Sequence, residues 1–261
     1  MKLSSANINV MIKACRKASK TLIRDFGEIE NLQVSVKGPG DFVTASDKKV
    51  EKILIEELQK ARPNYSILSE EIGKISNDES YKWIIDPIDG TANFLHGIPH
   101  FAISIGLEQD GEIICGIIYD PIKDEMFVAE KGNGSYLNNQ RIRVSSRSKL
   151  KDCIIFTGGP KKKEKDRETS LKEYYNFSSK VQIPIRKLGS AALNMAYVAA
   201  GRCDGFWQRH LKYWDIAAGI ILVKESGGLV TDYYGENKYL ENKTLLVTNS
   251  KINKEMVEVL K

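Results

Sequence analysis

The chain has 261 residues, 42% apolar and 28% charged, with a net charge of +5, an ordinary globular composition that suits one large domain or two intimately packed halves. No stretch approaches the ~20 consecutive apolar residues of a membrane span, and Met1 to Val10 carries no signal-peptide core, so the expected location is cytoplasmic. Cys15, Cys115, Cys153 and Cys203 form no CxxC pair, and His96, His100 and His210 form no HExxH spacing; this argues against a disulfide framework or a zinc site and leaves any metal to carboxylates.

Leu3 to Phe26 has helical periodicity, with Ile8, Met11, Ile12, Cys15, Leu22 and Phe26 near one face and Gly27 as the stop. A loop with Gly38-Pro39-Gly40 follows. Ser46 then reads as the N-cap of a helix over Lys48 to Ala61, with Ile53, Leu54 and Leu58 as its buried stripe. From Tyr65 the pattern turns to strands: Ser66–Leu68, Trp83–Ile85, Phe101–Leu107, Ile113–Tyr119, Glu125–Ala129 and a segment from Ser135 to Val144. Their short connections predict a largely antiparallel sheet.

The second half alternates differently. Ile154–Thr157, Ile183–Leu188, Leu229–Thr231 and Leu245–Thr248 read as strands. Glu164 to Lys180, Ser190 to Ala200, Asp215 to Glu225 and Lys251 to Leu260 read as helices. The basic run Lys161-Lys162-Lys163-Glu164-Lys165 reads as a solvated loop leading into the first of these. With no repeat and no linker, the fold class is α+β with helix and sheet layers. The expected division is 1–150 and 151–261, packed as one unit.

The most informative segment is Trp83-Ile84-Ile85-Asp86-Pro87-Ile88-Asp89-Gly90-Thr91-Ala92-Asn93-Phe94. A buried strand delivers Asp86, and Pro87 cannot continue a central pairing, so the chain turns and both aspartates can face one point. Two carboxylates on a rigid turn suit a hard cation such as Mg²⁺. Ser69-Glu70-Glu71 after one strand and Trp214-Asp215 at a helix start add further acids. Each alone has a bland reading, since a helix N-terminus favours Asp anyway; together they point to a metal site.

These segments resemble the inositol monophosphatase-like, Mg²⁺-dependent, Li⁺-sensitive phosphatases. The likeness rests on the acidic pair Glu70-Glu71, on Asp86-Pro87-Ile88-Asp89-Gly90-Thr91, and on Trp214-Asp215-Ile216-Ala217-Ala218-Gly219. Val43-Thr44-Ala45-Ser46-Asp47 and Gly189-Ser190-Ala191-Ala192 extend it over nearly the whole chain. The resemblance implies a layered αβαβα sugar-phosphatase fold, a homodimer and two or three Mg²⁺ ions. It places Glu70, Asp86, Asp89, the carbonyl of Ile88 and Asp215 on the metals, the last being the only one from the second half. It assigns Asp47 and Thr91 to the attacking water, with Glu71 assisting, and Gly90, Thr91 and Ala192 to the phosphate or substrate.

Substrate choice departs from the family pattern. Many relatives carry Glu seven residues before the Trp-Asp aspartate, where this chain has Gln208, which can bind a hydroxyl but carries no charge. Arg209, His210 and Lys212 could favour a second anionic group or form a solvated edge; Asn194 could face the ligand or cap local structure. Lys37 could reach the phosphate or be merely solvated. The expected activity is Mg²⁺-dependent hydrolysis of a small phosphate monoester, inositol 1-phosphate or a related sugar or polyol phosphate. Fructose 1,6-bisphosphate and histidinol phosphate are alternatives on the same fold. An RNA-binding or regulatory protein that keeps the fold is the alternative of another class, motivated by the net charge; no RNP-like strand or helix-turn-helix supports a nucleic-acid partner.

Overall fold

The computed structural model describes residues 5–29, 34–38, 41–159 and 165–260. Pro39 and Gly40 of the expected loop, the side chain of Lys37 and most of the basic run at 161–165 lie outside what is described. Helix α1 (Ala6–Gly27) is capped by Ser5, whose hydroxyl accepts from the amide of Ile8. Ile8, Met11, Cys15, Ala18 and Leu22 form its buried stripe at helical spacing. A hairpin of β1 (Val34–Gly38) and β2 (Asp41–Thr44) occupies the segment expected as a loop. Helix α2 (Ala45–Ala61) starts earlier than expected. Ser46 is therefore inside its first turn, and its hydroxyl donates to Asp25 Oδ2 at 2.7 Å, tying α2 to the end of α1 rather than capping α2.

The large sheet contains β3 (Tyr65–Ser69), β4 (Gly73–Ile75), β5 (Asp78–Asp89), β6 (Ala102–Gln109), β7 (Glu112–Asp120), β8 (Glu125–Glu130), β9 (Gly134–Leu137) and β10 (Gln140–Ile142). Its order is β10-β9-β8-β7-β6-β5-β3-β4, and β3–β5 is its one parallel pair. The segment expected as a single run from Ser135 splits at Asn138-Asn139, both with positive φ, the backbone that a tight hairpin turn requires. Helix α3 (Thr91–Leu95) leaves the end of β5.

The small sheet contains β11 (Ile155–Thr157), β12 (Ile185–Arg186), β13 (Gly205–Arg209), β14 (Gly228–Thr231) and β15 (Thr244–Asn249), in the order β12-β11-β13-β15-β14. Strand β11 is parallel to both neighbours, and the remaining pairs are antiparallel. The sheets are thus mixed, not simply antiparallel. The cause is connectivity: α4 (Arg167–Tyr175) lies between β11 and β12, and α5 (Ala191–Ala199) between β12 and β13, and parallel neighbours need such long crossovers. The expected strand at Ile183 begins only after Pro184, which has no N–H for the ladder. Strand β13 was not foreseen.

Three cores stack the elements into five layers. Leu22, Leu54, Trp83, Ile85 and Ile117 join α1 and α2 to one face of the large sheet. Ile84, Ile118, Met195, Ala217, Phe206 and Val247 join its other face to α5, α6 (Tyr213–Glu225) and the small sheet. Phe177, Trp207, Leu246 and Met256 join the small sheet to the helical segment after α4 and to α7 (Asn253–Leu260). Trp83 and Ile85 thus face one core and Ile84 the other, the period-two alternation of a strand covered on both faces. The order is helix, sheet, helix, sheet, helix. All four cysteines are buried thiols. Among the described residues, no helix is long and apolar enough to cross a membrane.

Candidate active site

A cavity of about 470 Å³ opens where the carboxyl end of β5, the start of α5, the end of β13 and the start of α6 meet. Glu70, Asp86, Ile88, Asp89, Gly90, Thr91, Gln208 and Asp215 all line it. These residues come from both halves of the chain.

The geometry begins with Pro87. In a regular strand, Asp86 and Asp89 would point to opposite faces, because their separation is odd. Asp86 pairs with Ser104 and Asp89 with Ala102, so β5 carries one extra residue across this interval. This bulge at the proline puts both aspartates on the cavity. The amide of Ile88 donates to Asp86 Oδ1 at 3.1 Å and closes the local turn. Gly90 follows with φ of 97°, and a Cβ there would meet His100 O at 3.1 Å and Phe101 Cβ at 3.3 Å. Thr91 starts α3, and its hydroxyl donates to the carbonyl of Ile88 at 2.9 Å.

Asp89 joins the halves. Its carboxylate accepts from the hydroxyl of Ser190, from the amide of Ala191 at 3.2 Å and from the amide of Ala192 at 2.8 Å. Those are unsatisfied donors of the first turn of α5, which an acid satisfies well. Asn93 adds a second link, donating to the carbonyls of His100 and Leu188, both at 2.7 Å. Asp215, in the first turn of α6, accepts from the amide of Lys212 at 2.8 Å.

The electrostatics are those of crowded acids. Burial pushes the Asp86 carboxyl well above the usual range, and the charges of Glu70, Asp89, Asp215 and Asp47 push it further. Burial raises Asp89 to about 6, against the opposing pull of its hydrogen bonds from Ser190, Ala192 and Ala191. Among the described residues, no three His, Cys, Asp or Glu side chains already form a closed cage. The donor set is nevertheless all hard oxygen: Glu70, Asp86, Asp89 and Asp215 carboxylates and the Ile88 carbonyl around one cavity. Mutual repulsion at Asp86 is what a cation would relieve, so the residues fit Mg²⁺ in chemistry and charge.

Three expected residues lie behind this wall. Asp47 is 1% exposed on α2 and reaches the site through its effect on Asp86. Glu71 follows Glu70 on the turn after β3, with its amide bound to Glu51 Oε1 at 3.0 Å. Ala192 is buried, with its amide on Asp89, while Ser190 and Ala191 line the cavity. Asn194 lines it as well, one turn into α5.

Strand alternation settles the basic cluster. Gln208 and His210 face the cavity, whereas Arg209 points to the other face of β13. There it bonds Glu173 Oε1 through Nε at 2.7 Å and Nη2 at 2.5 Å, and lies over the ring of Tyr233. Arg209 is therefore committed away from any substrate, contrary to the reading of it as part of a second anion site. His210 and Lys212 remain on the cavity wall. Sequence reasoning missed Glu51, whose only signal was its position one turn after Asp47 on the same helix face.

The sequence matches the inositol monophosphatase family over residues 5–260. The chain belongs to that family. Membership of the inositol monophosphatase family places it among the phosphoric monoester hydrolases. It is 48% identical over 258 residues to an inositol-1-monophosphatase of Mesorhizobium japonicum, covering 98% of this chain and 97% of that one. It is 38% identical over 251 residues to Nus factor SuhB of Pasteurella multocida, covering 96% and 94%. The crystal structure of extragenic suppressor protein suhB from Bartonella henselae superposes with a TM-score of 0.94 at 49% identity, over 98% of this chain and 99% of that one.

Proposed function

We propose that this inositol monophosphatase family member hydrolyses a small polyol or sugar phosphate monoester with the aid of Mg²⁺, and that inositol 1-phosphate is its preferred substrate class. The observation that carries the reading is the group of four acids from three separate segments, Glu70, Asp86 with Asp89, and Asp215, around one cavity. Glu70, Asp86, Asp89, Asp215 and the Ile88 carbonyl would hold the ions. When bound, Mg²⁺ would set positive charge against the phosphate oxygens and lower the pKa of water at the site.

The chain's own groups do the rest. Thr91 and Ala92 open α3, where first-turn amides have no intrahelical partner, so with Gly90 they give the phosphate N–H donors. Thr91 Oγ1 accepts a proton from the attacking water as its own hydroxyl proton leaves the Ile88 carbonyl and passes to Asp47, which lies behind the cavity wall. Gln208 meets a hydroxyl of the alcohol portion. Holding water and phosphorus in line accounts for much of the acceleration. The protein acts as a cytoplasmic homodimer, which sedimentation and fractionation would test.

The deciding experiment is phosphate release from inositol 1-phosphate, glycerol 2-phosphate, fructose 1,6-bisphosphate, histidinol phosphate and phosphoadenosine phosphate, with and without Mg²⁺. Mg²⁺-dependent turnover that Asp215→Asn abolishes supports the reading. No turnover by folded protein at saturating Mg²⁺ rejects it. A second reading, a regulatory role with RNA, is favoured only by the likeness to proteins called Nus factor SuhB and by the net charge of +5. RNA retention with a steep salt slope would support it.

A further inference from the structure

We infer that Glu51 is a positioning residue for the metal site, holding the turn that presents Glu70. This rests on the proposed Mg²⁺ chemistry and goes beyond it by naming what keeps one ligand in place. Glu51 is 1% exposed, on α2. One of its oxygens, Oε1, accepts from the hydroxyl of Ser69, from the amide of Glu71 at 3.0 Å and from the amide of Ile72 at 3.3 Å. The amide of Glu70 itself donates to Ile85 O at 3.3 Å, continuing the β3–β5 ladder. Glu70 is thus fixed on both sides: Ser69 before it, Glu71 and Ile72 after it, all on one buried oxygen.

The clamp spans the short turn between Ser69 and Gly73, which pair across β3 and β4. Ile72 is 55% exposed, and Gly73 has φ of 80°. No apolar side chain after Ser69 pins the turn to the core until β4. Meanwhile Glu70 and Asp86 line the same cavity with like charges that act on each other, which favours Glu70 swinging outward. Holding the backbone on both sides resists that swing before a cation arrives. Glu51 and Asp47 lie one turn apart on the same face of α2, so one helix delivers both the proposed base and the clamp. Groups that orient metal ligands typically affect affinity by about 10–100-fold when removed.

The test is calorimetric titration of Mg²⁺ alone into the metal-free full chain, as wild type, Glu51→Ala, Glu51→Gln and Asp86→Asn. Gln keeps an oxygen acceptor but drops the charge. The expected result is a Kd weakened by about 10-fold or more in E51A, within about 3-fold of wild type in E51Q, and lost in D86N. In phosphate release, kcat of E51A at saturating Mg²⁺ stays within about 3-fold of wild type, because the ligands themselves are intact. If E51A does not fold, Glu51→Asp retracts the carboxylate by one methylene and takes its place, with the same weakening expected. Wild-type affinity in the folded E51A or E51D protein overturns the role of Glu51 alone. So does a loss in E51Q as deep as in E51A, since charge and not the acceptor would then matter. A wild-type chain that takes up no Mg²⁺ overturns the proposed function and the role of Glu51 with it.

Discussion

The backbone amide of Ala192 donates to Asp89 Oδ2 at 2.8 Å, across 103 positions of sequence. Asp89 also accepts from Ser190 and Ala191, so both carboxylate oxygens hold the start of α5. Asp86 has a different situation: its carboxylate accepts from the amide of Ile88, and acids surround it. The two aspartates should therefore respond oppositely to the same substitution in metal-free protein. Asp89→Asn puts an amide NH₂ where an acceptor is needed and should cost about 1–3 kcal/mol. Asp86→Asn keeps an oxygen for Ile88 while removing a crowded charge, and should raise the stability at pH 8. Thermal melts in EDTA would show this as shifts of opposite sign, while both variants lose turnover. Shifts of the same sign would count against the division of roles.

Gly116 shows how the sheet meets the central helix. A Cβ there would lie 2.5 Å from Ile221 Cγ2 and 2.7 Å from the carbonyl oxygen of Ala218, both on α6. The helix rests directly on the backbone of β7, and a methyl group must push it off. Gly116→Ala should destabilise by about 1–3 kcal/mol through overpacking, read from the urea midpoint at unchanged m. Because α6 also carries Asp215, the same variant should bind Mg²⁺ more weakly. A midpoint equal to wild type would mean the interface yields without cost.

The sequence exposes the proposed catalytic segment because its residues are adjacent and its proline is local. Asp86, Asp89 and Thr91 lie within one bulge and one turn, so spacing alone suggests their convergence. The helices of the central layer were equally visible, since α5 and α6 are apolar almost all round. What stayed hidden depends on contacts far apart in sequence. Strand β13 is short, and only its place between β11 and β15 makes it a strand. The outward turn of Arg209 follows from that strand's register, and the clamp by Glu51 needs a turn 18 to 21 residues away. Ser46 looked like a cap because its preference for helix starts is local, while its actual partner, Asp25, belongs to another helix.

His100 supplies a pH dependence outside the acidic cluster. Burial, reinforced by Lys123 and opposed by Asp120, lowers its imidazole to about 4. In the unfolded chain it titrates near its ordinary value of about 6.5. Between those values the unfolded state binds a proton that the native state refuses, so stability falls as pH drops from about 6.5 toward 4 and is fully present above that window. The loss attributable to this residue is about 1–2 kcal/mol, allowing for its partial exposure to solvent. His100→Phe removes the titration and should flatten the stability profile over the same range in urea melts at pH 4.5, 5.5 and 7. A profile as steep as wild type would assign the slope to other groups.

Gln208 is the residue on which substrate choice should turn. Alternation along β13 places it on the cavity, and its amide group covers Gly158 so closely that a Cβ there would lie 2.2 Å from its Cδ. A side chain wedged in this way presents a fixed polar end to whatever alcohol leaves the phosphate. As Gln it can donate or accept; as Glu it could only accept and would add a negative charge. Gln208→Glu should therefore leave kcat/KM on inositol 1-phosphate within about 3-fold while lowering it on fructose 1,6-bisphosphate by about 10-fold or more, through repulsion of the second phosphate in a partly desolvated cavity. Lys212 and His210, on the same wall, offset part of that repulsion, so the effect should grow at low ionic strength. The ratio of the two kcat/KM values, measured at low and high salt, isolates the charge from any change in folded fraction. A ratio unmoved by the substitution would mean that Gln208 does not contact the alcohol portion of the substrate, and that selectivity resides on the α5 side of the cavity, around Asn194.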